Sequence, residues 1–222
     1  MKQKILIILN GLMLIAALFM VLKWVPADAT NGNIQRIFYF HVPLAWVAFL
    51  SFFIVFIASI MYLMKREAKW DYLAASCAEI GLVFTTAVLL TGSIWAKPMW
   101  GKWWIWDARL TTALILWLIY AGYFIIRSYI NEDNKRARFA AIIGIVGFID
   151  VPVVALAVQF SPGINHPPPS YIFNGGLPPE ALFTLLFSIA TFTLLVHLLT
   201  SERLRIRQME EDLKKLKSLM RK

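Results

Sequence analysis

The chain has 222 residues, of which 59% are hydrophobic and only 16% charged, and its formal net charge is +9. Soluble domains carry about 25% charged residues, so this composition reads as an integral membrane protein. One cysteine, Cys77, falls inside an apolar run. That excludes a disulfide framework and a Cys-based metal site. There is no Cys-x-x-Cys-His attachment motif and no phosphate-binding G-x-x-x-x-G-K-[ST] loop, so nucleotide hydrolysis would belong to a partner.

Six apolar segments reach the roughly 20 residues needed to cross a bilayer as helix. Span 1 is expected over about Ile5 to Leu22, behind Lys2 and Lys4. Ala27-Asp28-Ala29 resembles a small-x-small cleavage site, but the apolar run exceeds the roughly 7–15 residues of a signal core, so it reads as an uncleaved first helix. A polar loop from Pro26 to Arg36 precedes span 2, about Ile37 to Met64, with His41 in its first turns and Pro43 near the start, where a missing N–H costs little. Span 3 is expected from about Tyr72 to Ala96. A tryptophan-rich stretch, about residues 97–109, leads to span 4, Leu110 to Ile126. Span 5 is expected over Phe139 to Phe160. A Pro/Gly-rich loop, 161–179, contains His166. Span 6 covers Glu180 to Leu199, and a charged tail occupies 201–222. The membrane domain is thus residues 1–200. In the tail, Met209, Leu213, Leu216 and Met220 follow a 4-3-4 spacing, which predicts an amphipathic helix that lies on lipid headgroups or docks a cytoplasmic partner.

Six spans put both termini on one side, and 17 of the 22 lysines and arginines fall there. The positive-inside rule makes that side cytoplasmic. The basic charge is therefore topology information and gives no reason to invoke nucleic acid. His41, the tryptophan stretch and His166 fall on the outer face; His197 falls on the inner one.

Four of nine tryptophans sit in Trp100-Gly101-Lys102-Trp103-Trp104-Ile105-Trp106-Asp107-Ala108-Arg109, and Trp95 lies just before. An interfacial aromatic belt needs one or two such rings per helix end. A continuous shelf of Trp95, Trp100, Trp103, Trp104 and Trp106 suits a large flat ligand, with interfacial anchoring as the plainer alternative. Two histidines flanking the shelf, His41 and His166, would suffice for a six-coordinate haem iron. Pro167, Pro168 and Pro169 would hold His166 on an extended segment. Lys97, Lys102, Arg36 or Arg109 would pair with the propionates. Asp107 reads chiefly as a cap for span 4, with Arg109 beside it. Asp150, followed by Pro152, is an intramembrane acid that is either functional or bonded to backbone freed by the kink. Glu79 awaits a basic partner or shares a proton. Cys77 reads as a small core residue.

Trp100-Gly101 through Trp103-Trp104-Ile105-Trp106-Asp107 and Arg109-Leu110-Thr111, together with Thr91-Gly92-Ser93-Ile94-Trp95-Ala96-Lys97-Pro98 upstream, resembles the tryptophan-rich "WWD" signature of cytochrome c assembly proteins. With six spans and this length, the whole chain resembles the CcmC, or haem exporter protein C, family. The resemblance implies an all-α membrane protein, N-in and C-in, that binds haem b non-covalently through His41 and His166 on the outer face of the bacterial inner membrane. It implies delivery to the haem chaperone CcmE, beside CcmD and the ABC-type pair CcmA and CcmB. Self-contained enzymatic turnover is not implied. In the second histidine segment the family reads Trp-Asn-Thr-Leu-His-Gln, whereas this chain reads Pro162-Gly163-Ile164-Asn165-His166-Pro167. The competing expectations are a permease subunit carrying haem through the membrane, with a midplane site at Asp150-Pro152, and a structural assembly subunit that binds no haem.

Overall fold

The computed structural model describes residues 2–28, 31–160 and 175–220. Among these residues there is no strand beyond one bridge between Asp28 and Gly32, and six helical stretches are long and apolar enough to cross a membrane. Helix α1, Lys2–Phe19, runs into a π turn at Met20–Trp24. A 3-10 turn, Asn33–Ile37, leads into α2, Phe38–Lys65. Then come α3, Ala68–Trp100, α4, Ala108–Tyr129, α5, Asp133–Phe148, α6, Asp150–Phe160, and α7, Pro179–Met220.

Three boundaries differ from the sequence expectation, each for a local reason. Pro98 does not end α3; the helix continues to Trp100 and stops at Gly101, whose φ of 74° is open to glycine and whose N–H bonds the Lys97 carbonyl at 2.9 Å. Trp95, Lys97 and Trp100 are therefore helical, and the irregular stretch is 101–107. The fifth span starts earlier, at Asp133, and is broken at Ile149 into α5 and α6. Pro152 has no N–H for the Phe148 carbonyl, which accounts for a break at that place. The sixth span and the tail form one helix of 42 residues, about 63 Å long at 1.5 Å per residue.

Helix α2 is the hub, packed by α3, α5 and α7, while α4 lies against α3, α5 and α6. Small residues let the backbones close up. A Cβ on Gly81 would come 2.5 Å from the Phe52 ring, and one on Gly144 would come 2.6 Å from the Ser59 hydroxyl. Phe52 in turn stacks on Tyr120 at 3.8 Å, joining α2, α3 and α4 in one buried layer. Helix α1 packs on α7, and the Asn10 amide donates to the Thr191 carbonyl at 2.9 Å. At the end of the bundle away from Trp100, Arg127 on α4 grips Asp71 on α3 through two bonds of 2.5 and 2.9 Å. There too, Arg203 and Arg207 of α7 pair with Glu79 of α3 at 2.7 and 3.1 Å.

Candidate functional site

A cavity of about 440 Å³ opens within the bundle at the end that carries the tryptophans. Among the described residues, five helices line it. Helix α2 contributes Phe38, His41 and Trp46, and α3 contributes Thr85, Gly92, Trp95 and Trp100. Helix α4 adds Arg109, Ala113 and Leu116, α6 adds Val154, and α7 adds Leu185 and Ile189. The walls are overwhelmingly apolar; Thr85 lies at the deep end, and His41, Arg109 and Trp100 lie toward the tryptophan end. Depth follows from α3: Thr85 and Trp100 both line the cavity, and fifteen residues of helix span about 22 Å.

His41 projects from the first turns of α2 toward α3. Its Nδ1 lies 2.8 Å from the Thr91 hydroxyl, and its ring meets Trp95 edge-on at 5.9 Å. The predicted tryptophan shelf divides in two. Trp95, Trp100 and Trp104 are partly buried, whereas Trp103 and Trp106 are 58% and 75% exposed. Trp104 and Trp106 meet edge-on at 5.5 Å. The indole nitrogens of Trp100 and Trp104 are buried and have no acceptor among the described residues.

The four cations expected beside the shelf have different surroundings. Arg109 lines the cavity, lies over the Trp100 ring at 5.6 Å and donates to Asp107 at 3.2 Å. Asp107 caps α4, accepting from the Leu110 N–H at 2.7 Å. Lys97 lies over Trp103 and donates to the Gly101 carbonyl at 3.0 Å, closing the end of α3. Arg36 donates to the Val21 carbonyl and to Asn33, tying the π turn after α1 to the start of α2. Lys102 is exposed in the irregular stretch. Arg109 is thus the cation among the four that lines the cavity.

His166 lies outside the described residues. Asp150 begins α6, and its Oδ2 is buried with no hydrogen-bond partner among the described residues. Glu79 has its basic partners in Arg203 and Arg207. Cys77 is fully buried in the core, and His197 is exposed on α7. Sequence reading gives no role to Thr91, Gly92 or Trp46. Thr91 lies fifty positions from His41, so only the packing of α2 on α3 brings them together. The Thr91-Gly92 pair just ahead of Trp95 is the one signal that could have pointed there.

The family model described as Heme exporter protein C matches residues 2–219. The Heme exporter protein C of Bradyrhizobium diazoefficiens is 38% identical over 172 residues, which is 77% of this chain and 65% of that protein. The match therefore spans slightly less than two thirds of that relative. The Heme exporter protein C of Escherichia coli K12 is 34% identical over 180 residues, 81% of this chain and 73% of that protein. A ccmC-like mitochondrial protein of Marchantia polymorpha, named for cytochrome c biosynthesis, is 33% identical over 170 residues, 76% of this chain and 72% of its own. A family match running over nearly the whole chain, on a bundle of six apolar helices, means that this chain belongs to the Heme exporter protein C (CcmC) family.

Proposed function

We propose that this protein holds haem at the outer face of a bacterial inner membrane during cytochrome c maturation and presents it to a CcmE-type chaperone. The observation that carries this reading is the cavity itself, an apolar chamber with His41, Arg109 and Trp100 at its polar end. Haem as cargo is a flat apolar ring with a metal that takes imidazole ligands and an edge bearing two carboxylates. The donor set fits. The walls suit the ring, His41 offers an imidazole, and Arg109 with the indole N–H of Trp100 offers donors for an anionic edge. His41 would hold the iron and His166 would supply the second axial ligand. The apolar walls exclude water, and the tryptophans limit how the ring can turn.

The tail and the inner loops carry the excess of positive charge, which supports both termini in the cytoplasm and the tryptophan end outside. The chain has no nucleotide-binding loop, so energy input would come from CcmA with CcmB, and CcmD would be a further membrane partner. The protein's part in covalent attachment is positioning, and bond formation belongs to the chaperone side. A permease reading draws on the break at Ile149 and the open carboxylate of Asp150, on the helix that also lines the cavity. Absorption spectra of the detergent-purified protein, loaded with haem, separate the two. Loss of the low-spin spectrum in His41→Ala and His166→Ala supports holding at the outer face. Unchanged spectra in both, with loss in Asp150→Ala, would overturn it.

A further inference from the structure

We propose that one face of α3 is a positioning cradle for His41, in which Thr91 fixes the ring tautomer and Gly92 fixes the ring position. This rests on the reading that His41 is a haem ligand, and it assigns Thr91 a role as a positioning residue for that ligand. The hydroxyl of Thr91 is 2.7 Å from the Ala87 carbonyl and 3.2 Å from the Val88 carbonyl. Carbonyls only accept, so the single hydroxyl proton is donated to the backbone of its own helix. What the oxygen turns toward His41 Nδ1, 2.8 Å away, is a lone pair. Nδ1 therefore carries the ring proton and donates it to Thr91, and Nε2 is the basic nitrogen. A ligating histidine needs this arrangement, because the bond made by one ring nitrogen sets the tautomer, orientation and donor strength of the other.

Gly92 acts on the same ring. A Cβ at this position would lie 3.3 Å from His41 Cε1, the carbon between the two nitrogens. A side chain there would push the imidazole away from α3 by a few tenths of an ångström. Trp95 closes the arrangement one turn on, edge-on to the ring at 5.9 Å. Positions 91, 92 and 95 share one helix face, since residues three and four apart are neighbours on it. The Thr-Gly-x-x-Trp pattern before the tryptophan stretch thus has a physical task.

The test uses Thr91→Val, which keeps the volume and branching but removes the acceptor, and Thr91→Ser, which restores it. In the full-length apoprotein in detergent micelles, ¹⁵N-histidine NMR at a pH where imidazole is neutral should show His41 protonated at Nδ1. Thr91→Val should shift the population toward the Nε2-protonated form, and Thr91→Ser should bring it back. After loading with haem, Thr91→Val should bind about 10-fold more weakly, lose part of the low-spin spectrum and raise the reduction midpoint, because a less basic Nε2 favours the ferrous iron. Gly92→Ala should lower the low-spin fraction without changing the tautomer. A wild-type protein with His41 protonated at Nε2 would overturn the cradle. So would haem bound through His41 with a spectrum and midpoint indifferent to Thr91→Val. If the tautomer responds as stated but the wild type takes up no haem, the haem reading fails while the tautomer assignment stands.

Discussion

Replacing Gly81 with alanine should split the layer on which the site is built. The new Cβ would lie 2.5 Å from Phe52 Cε1 and 2.9 Å from Cδ1, against an ordinary contact of 3.4–4 Å. The ring has to retreat by about 1 Å, and overpacking of this kind costs about 1–3 kcal/mol. The upper part of that range is expected because Phe52 is fully buried and stacks on Tyr120 at 3.8 Å, which blocks its retreat. The assay is unfolding in mixed detergent micelles, followed by circular dichroism, as a cycle of Gly81→Ala, Phe52→Leu and the double variant. Shortening the ring should relieve the clash, so the double variant should be more stable than the sum of the single effects by about 1 kcal/mol or more. Additivity within about 0.5 kcal/mol would refute the reasoning.

Removing one partner of the buried Arg127–Asp71 pair, as Arg127→Leu, should cost about 3–5 kcal/mol, whereas replacing both should cost less; the same unfolding assay checks it. Asp107→Ala should cost about 1 kcal/mol through loss of the cap on Leu110 and should also free Arg109, which a fall in haem affinity would report. Trp100→Phe keeps an aromatic ring but removes the buried N–H, so haem titration should show weaker binding, while the haem-free protein should unfold no more easily, because relief of the unpaired donor offsets the smaller ring. Glu79→Gln should loosen the hold on Arg203 and Arg207, and hydrogen exchange should then speed up along α7 beyond Thr200.

The membrane class was readable from composition because length and hydropathy act residue by residue, and the six spans follow from the same quantity. Helix ends were less readable. The expected end of span 3 at Ala96 fell short of Trp100, because the geometry that ends α3 comes at Gly101. The break at Ile149 had a visible cause in Pro152, while the continuity of α7 did not, because a charged segment and an apolar one can share a helix when neighbours hold both. Arg203 and Arg207 are held by Glu79, more than a hundred residues away in the chain. The site was legible in kind but not in arrangement. Residue types nominated His41 and the tryptophans, but only packing separates Arg109, which lines the cavity, from Lys97 and Arg36, which close helix ends and turns.

The polar groups of the bundle set the tryptophan end apart on separate grounds. A membrane interior supplies no water, so each polar group must find a partner in the protein. Ser51, Thr85, Thr184 and Thr191 donate to carbonyls one turn back in their own helices. Asn10, Trp46 and Trp117 bond across helices, to the Thr191 carbonyl and to the hydroxyls of Thr193 and Thr86. Among the described residues, open groups at Ser59, Trp70 and Asp150 are scattered over separate helices. Trp100 and Trp104 differ, since they place two buried N–H donors within five residues of chain, and the ring of Trp100 lies against the guanidinium of Arg109. A buried donor without an acceptor costs about 1–3 kcal/mol. At Trp100 such a donor sits next to a cation at the polar end of an otherwise apolar cavity, a place that would gain by receiving an anionic group. The same end holds His41, with its Nδ1 against the Thr91 hydroxyl. An apolar ring with an anionic edge and a metal at its centre satisfies all three features together, which a simple lipid anchor or a structural subunit would not require.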